Sequence, residues 1–205
     1  LHLCDYNLET IETKNYNSSN AKHNLLLDVC MAAKYEGDLI KTHYTPYQLT
    51  YPGSGSITCT ALARSFADIG DIVRGKDLFY GNPQESAQRE QLESKLKDIF
   101  GIIYKELKNG KTNGAEELQK RYKDRKDPDF FKLREDWWTA NRETVWKAIT
   151  CKADTGNAYF RPTCDSADGN SKSQAHDKCR CKDKSFTKET DQVPTYFDYV
   201  PQYLR

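Results

Sequence analysis

Cys164, His176, Cys179 and Cys181 place three thiols and an imidazole within eighteen residues, which are the ligand types that hold zinc. Their spacing argues against a metal. Structural zinc motifs leave about two to four residues between paired cysteines, whereas only Arg180 separates Cys179 from Cys181. Disulfides are the favoured reading. The two cysteines of a C-x-C pair do not bridge each other comfortably, so each is expected to reach a different partner. Closing a long loop in this way stabilises a fold by roughly 3 kcal/mol per bridge. Nucleophilic catalysis has little support. The four histidines His2, His23, His43 and His176 lie in no catalytic signature, and a bridged cysteine is no nucleophile. Gly53-Ser54-Gly55 lacks the Lys-Ser/Thr of a phosphate loop and reads as a turn. The sequence therefore predicts no enzyme, no cofactor and no metal.

The acid pairs Asp68/Asp71 and Glu135/Asp136 stand among bases on helical stretches and are expected to form solvated salt bridges. Trp137, Trp138 and Trp146, at helical spacing, are expected in the core rather than stacked on a ligand. Two cationic clusters remain. Between Lys105 and Lys126, the eight bases Lys105, Lys108, Lys111, Lys120, Arg121, Lys123, Arg125 and Lys126 face the four acids Glu106, Glu116, Glu117 and Asp124, leaving +4. From Lys172 to Lys188, the six bases Lys172, Lys178, Arg180, Lys182, Lys184 and Lys188 face Asp177 and Asp183, again +4. Such patches can hold sulfated or sialylated glycans by charge-assisted hydrogen bonds. An ordinary solvated surface explains either cluster equally well.

The elements that must position these residues come from a chain of 205 residues, with 37% hydrophobic, 30% charged and 12% aromatic residues and a net charge of +1. Mean hydropathy is −0.86. That is polar for a folded chain, yet too aromatic for a disordered one, so a thin core filled by large rings is expected. The even charge excludes a dedicated nucleic-acid binder. No stretch approaches the ~18 apolar residues of a membrane span, and Leu1-His2-Leu3-Cys4 is no signal peptide. The chain thus reads as a segment of something longer. Seven cysteines favour an oxidised, extracellular framework. The odd count leaves one unpaired within the segment, most naturally Cys4.

Periodicity predicts helices over about 19–36 (capped by Ser18 or Ser19, stopped by Gly37), 57–74, Pro83–Asn109, 116–122, and from Asp127-Pro128 to about 150. Pro46, Pro52, Gly53 and Gly55 mark 41–56 as a loop. Gly70, inside the second helix, implies close packing. Residues 151–192 lose periodicity and read as a cysteine-pinned loop, with no strand expected.

Five blocks then carry a resemblance. Ala63-Arg-Ser-Phe-Ala-Asp-Ile-Gly-Asp-Ile-Val-Arg-Gly75 resembles the hallmark block of the Duffy-binding-like domains of malaria parasites. Arg134-Glu-Asp-Trp-Trp138 with Asn141-Arg142 and Val145-Trp146 resembles the family's second block, and Pro194–Arg205 its third. Cys4–Glu9 and Asp28–Gly37 add two more. The wording is most similar to the alpha class, found at the head of Plasmodium falciparum erythrocyte membrane protein one. The resemblance implies an all-α Duffy-binding-like fold with long loops and disulfides, shown on the infected red cell as part of a membrane-anchored protein. It also implies that residues 1–205 form a partial domain, the end of subdomain 1 plus the central subdomain 2, without the C-terminal subdomain.

By the same resemblance, the partner of Cys4 lies upstream. The pairing expected of the rest joins Cys30 with Cys151 and Cys59 with one of Cys164, Cys179 and Cys181. The remaining two pair together or reach the absent subdomain. Implied partners are host surface glycans (heparan sulfate, blood-group sugars) or receptor glycoproteins, antibodies, and adjacent domains of the same polypeptide, with no nucleic acid. The shared blocks read as scaffold. The contact surface is therefore nominated from charge: Lys108, Lys111, Lys120, Arg121, Lys123, Arg125 and Lys126, and separately Lys178, Arg180, Lys182 and Lys184. The alternative is a structural or antigenic spacer that supports an adjacent receptor-binding domain.

Overall fold

A computed structural model describes residues 6–17, 19–50, 56–77, 82–109, 115–122, 127–165, 171–175, 177–182, 188–190 and 192–205. The helices are α1 (Tyr6–Glu9), α2 (Ala21–Thr50), α3 (Ser56–Arg74), α4 (Pro83–Asn109), α5 (Ala115–Tyr122) and α6 (Phe131–Ile149). Short 3-10 turns cover Thr13–Asn15, Phe197–Tyr199 and Gln202–Leu204. No described helix is long and apolar enough to cross a membrane.

Local chemistry sets several helix ends as the sequence predicts. Asn82 Oδ1 accepts from the Gln84 and Glu85 amides at 3.1 and 2.9 Å, and Glu85 Oε2 accepts from the Asn82 amide at 3.2 Å. This reciprocal capping box opens α4. Asp127 Oδ1 and Oδ2 accept from the amides of Phe131 and Lys132, but α6 begins only at Phe131, after Phe130 in the left-handed region, so the expected start at Asp127-Pro128 is corrected by about three residues. Gly75, at φ +69°, closes α3. Its amide donates to Ile72 O and that of Lys76 donates to Asp71 O, the double bond pattern of a Schellman end.

The first long helix departs from expectation at both ends. It starts at Ala21, with the carbonyl of Asn20 accepting from the amides of His23 and Asn24. Ser19 is not the cap, because its amide and hydroxyl are spent on Asn17 Oδ1. At the other end α2 runs through Gly37 and Pro46 to Thr50, so the predicted stop at 37 and loop from 41 are corrected. Gly37 is a packing residue. A Cβ there would meet the backbone oxygen of Ile149 at 2.0 Å, so the missing side chain lets α6 end against α2. The part of the expected loop at 51–55 lies outside the described residues.

The core sits where α2, α3 and α6 meet. Trp138 and Trp146 are buried, as the spacing predicts, and both flank Phe66 at ring distances of 5.1 and 5.2 Å. Gly70 permits this approach, since a Cβ there would lie 2.7 Å from Trp138 Cζ2. Trp137 meets Phe100 of α4 edge-on at 6.1 Å.

Residues 151–192 are indeed pinned by sulfur. Cys59 of α3 bridges Cys179, closing a separation of 120 residues, and Cys164 bridges Cys181 across 17. Those bonds consume the three thiols of the zinc alternative. One expectation fails: Cys30 and Cys151 are unbridged. Gly37 touches Ile149 and Lys41 pairs with Asp154 at 2.5 Å, so the chain leaving α6 lies against the middle of α2. Cys30 stands seven residues before Gly37, roughly 10 Å back along the axis from the point where α6 ends, and the two thiols are not joined. Cys4 lies outside the described residues.

The sequence also missed a hairpin. β1 (Pro162–Asp165) pairs antiparallel with β2 (Lys172–Gln174), with Cys164 opposite Ser173 and an irregularity between Pro162 and Cys164. Strands of four and three residues are too short for alternation to register.

Candidate binding surface

Four arginines tie the three longest sequence blocks together. Arg74, fully buried, donates to Gly70 O, to Asp71 Oδ1 at 2.9 Å, to Glu135 Oε1 at 3.0 Å and to the carbonyl of Asp198. Arg134 donates to the carbonyls of Val73 and Ile72 and forks onto Glu93 of α4. Arg142 forks onto buried Asp198 at 2.8 Å through both bonds, and Trp138 Nε1 donates to Asp198 Oδ2 at 2.9 Å. Arg205 reaches back to Asp68 at 2.8 Å and to Asp71. The blocks are scaffold, as their residues imply. The acid pairs do form salt bridges, but Asp71 is not solvated; it is 4% exposed. Three helical and C-terminal segments converge here and exclude water, so buried charges must be paired.

Burial shapes the titration of these acids. Desolvation pushes Asp68 up to about 6 against the opposing pull of Arg205, and raises Asp71 as well. Burial also pushes Glu135 up, but hydrogen bonds from Lys76 and Arg74 outweigh it and leave its carboxyl below the usual range.

The nominated cations that are described fall at two places. Lys120 is exposed on α5. Beside it, Arg121 forks onto Asp136 of α6 at 2.7 and 2.8 Å, and Tyr122 Oη donates to the same carboxylate at 2.7 Å. The Arg121 hydrogen bond holds Asp136 below its ordinary range, and burial, with help from Asp136, raises Tyr122. At the other end of α6, Arg180 donates to Lys147 O and Thr150 Oγ1, both at 2.8 Å, and pairs with Glu189 at 2.5 Å. Lys182 pairs with Asp177 at 2.7 Å and lowers that acid. Lys178 is half-buried, at φ 51°. The side chains of Lys108, Lys111, Lys123, Arg125, Lys126 and Lys184 lie outside the described residues.

Asp136 and Lys147 anchor the two clusters eleven residues apart on α6, roughly 16 Å along its axis. Among the described residues, Arg121 and Arg180 therefore do not share one stripe. Counting charge along the chain also missed the partners Asp136 and Glu189, which lie outside each counted window. Arg161 was not nominated. It is exposed, stands over the Phe160 ring at 5.1 Å, and has no carboxylate partner among the described residues. Lying between the counted clusters in a non-periodic stretch, it gave no signal. Tyr196, Tyr199 and Tyr203 form an exposed aromatic edge nearby in the C-terminal segment. Phe197 links it to Phe160 at a ring distance of 6.4 Å.

The profile of the Duffy binding domain family matches residues 1–205. Among curated proteins, no sequence matches significantly. Solved structures do. The NTS-DBL1(alpha-1) domain of Plasmodium falciparum membrane protein 1 (PfEMP1) from the varO strain is 39% identical, with a TM-score of 0.71 over 99% of this chain and 40% of that one. The DBLbeta domain of PfEMP1 IT4var13, solved bound to ICAM-1, is 31% identical, with a TM-score of 0.63 over 99% of this chain and 40% of that one. The chain therefore spans about two fifths of the length of these relatives. Given a family profile matched from end to end, shared helical architecture and three blocks locked by buried arginines, the chain belongs to the Duffy-binding domain family.

Proposed function

We propose that this chain is an adhesion module of a malaria variant surface antigen, displayed on the infected erythrocyte. It binds host-cell glycans such as heparan sulfate or blood-group sugars, or a receptor glycoprotein, through its cationic surface, with roles in rosetting or cytoadherence. It works as the end of subdomain 1 plus subdomain 2 of a longer domain, without catalysis. The observation that carries this reading is the relative of the same fold solved in complex with the host protein ICAM-1. Exposed Lys120, half-buried Lys178 and exposed Arg161, which has no carboxylate partner among the described residues, are cations that support this reading.

Retention on heparin that falls steeply with salt is the expected behaviour, because exposed charge is screened over about 8–10 Å at physiological ionic strength. Charge reversal at Lys120, Arg121, Lys123 and Arg125, and separately at Lys178, Arg180, Lys182 and Lys184, should weaken glycan and red-cell binding. Unchanged binding in both sets discards the cationic surface.

A second reading is favoured by the ion pairs. Arg121, Arg180 and Lys182 are already matched by Asp136, Glu189 and Asp177, which leaves less field for a ligand. On that reading the chain is a structural and antigenic spacer beside a receptor-binding domain. Specific binding of red cells by the correctly oxidised chain alone rules it out.

A further inference from the structure

Phe160, at the entry to β1, and Tyr196, in the C-terminal segment, are 39% and 55% exposed, although large rings gain most from burial. Neither is loosely held. Phe160 O accepts from Gln174 Nε2 at 3.1 Å, and its ring lies 4.9 Å from that of Tyr159 and 6.4 Å from that of Phe197. Buried Tyr159 donates to Thr195 Oγ1 at 3.0 Å, and Gln192 Nε2 donates to Thr163 O at 2.9 Å. The hairpin and the C-terminal segment are thereby stitched together. Tyr196 rests against the Arg142 guanidinium at 6.0 Å, which Asp198 fixes in turn. Arg161 stands over Phe160 at 5.1 Å, exposed and with no carboxylate partner among the described residues. Lys172, ion-paired with Asp165 on the hairpin, lies within electrostatic range of Tyr196.

We infer that Phe160, Arg161 and Tyr196 form a seat for one acidic pyranose, a sugar ring bearing a carboxylate or a sulfate. The inference rests on the glycan reading above and names where, and by which contacts, such a ligand is held. An aromatic face carries negative charge density, which attracts the polarised C–H bonds on the flat side of a pyranose. A guanidinium with no acid of its own then forks onto the anionic group of that ring. The Cys164–Cys181 bridge pins the hairpin, so little ordering is left to oppose binding. The clusters nominated from charge differ in this respect. Their described arginines already hold carboxylates, Arg121 on Asp136 and Arg180 on Glu189. Charge complementarity therefore points to an anion at Arg161, and the exposed rings beside it point to a sugar as its carrier.

Calorimetric titration of the full polypeptide with 3′-sialyllactose and, separately, with a heparin tetrasaccharide tests the seat and tells a sialylated source from a sulfated one. Arg161→Lys keeps the charge but loses the fork, and should weaken binding by roughly tenfold or more. Tyr196→Ser should weaken it as well, with the helical circular dichroism of both variants unchanged. Binding by the parent should fall only a few-fold from about 0.15 to 0.5 M NaCl, because one ion pair is screened while ring stacking is not. Parent-like binding by both variants, with loss on charge reversal at Lys120 and Arg121, overturns the seat and leaves the glycan reading standing. Binding abolished by the added salt assigns the ligand to diffuse charge and overturns the seat in the same way. Binding of neither oligosaccharide by the parent overturns the glycan reading and the seat with it.

Discussion

Replacing Gly37 by Ala separates two views of the residue that ends the predicted first helix. If Gly37 were a helix stop, the methyl would lengthen the helix and stabilise the chain by up to ~1 kcal/mol. In the structure Gly37 lies inside α2, and the new Cβ would fall 2.0 Å from the carbonyl oxygen and 3.0 Å from the carbonyl carbon of Ile149. Those are backbone atoms at the end of α6, so no rotamer relieves the clash. Helices α2 and α6 must part by more than an ångström where Ile149 and Ile40 are buried. Overpacking of this kind costs about 1–3 kcal/mol. A backbone obstacle belongs at or above the top of that range, so the net loss after the propensity gain is about 2 kcal/mol. For a chain of this size that lowers Tm by roughly 4–8 °C. Thermal and urea unfolding followed by circular dichroism, with the disulfides intact, measures it. A variant as stable as the parent, or more so, refutes the assignment of Gly37 as the contact that seats α6.

The two bridges should differ in weight. Removing Cys59 and Cys179 together as alanines frees a 120-residue span and should cost more than removing Cys164 and Cys181, which frees 17, by the chain-entropy estimate roughly 5 against 3 kcal/mol; urea midpoints give the order. Asp198→Ala should destabilise by about 3–5 kcal/mol, because it strips Arg142 and Trp138 Nε1 of their shared buried acceptor; a loss below that of Asp198→Asn contradicts it. Desolvation raises Asp68 to about 6 in the fold, so the folded chain holds a proton that the unfolded chain, with its ordinary carboxyl near 4, releases between those values. This site's contribution is full below pH 4 and lost as pH rises through 6, and Asp68→Asn should flatten that part of the stability profile in urea titrations from pH 4 to 7. Finally, alkylation of the native chain should label exposed Cys151 quickly and half-buried Cys30 slowly, since burial pushes the Cys30 thiol up to about 11; resistance of both after oxidation, with a linked peptide in mass spectrometry, restores their bridge.

Much of the helical plan was legible because its signals are local. The Asn82-Pro83 start of α4 and the Gly75 end of α3 act within a turn of their own position, whereas Asp127 supplies acceptors to a helix that begins only at Phe131. The tryptophans sorted to the core because aromatic area at helical spacing has one buried side to occupy. Gly37 and Pro46 misled because breaker residues carry two meanings, stop and close approach, and only the neighbour decides between them. Charge misled for a related reason: a window along the chain counts Lys120 and Arg121 together, while the fold hands Arg121 to Asp136 and leaves Lys120 exposed.

By themselves, the residues determined a disulfide-braced helical body with a ring-filled core, and five blocks that belong to one family. Tertiary structure alone decided that Cys59 meets Cys179 while Cys30 and Cys151 stay unbridged, that Arg205 closes on Asp68, and that Arg121 and Arg180 contact α6 about three turns apart. The physical reason is range. Caps and amphipathic stripes are fixed by atoms within a few residues, but bridges, ion pairs and surface patches join groups up to 137 residues apart, whose meeting depends on how closely whole helices approach.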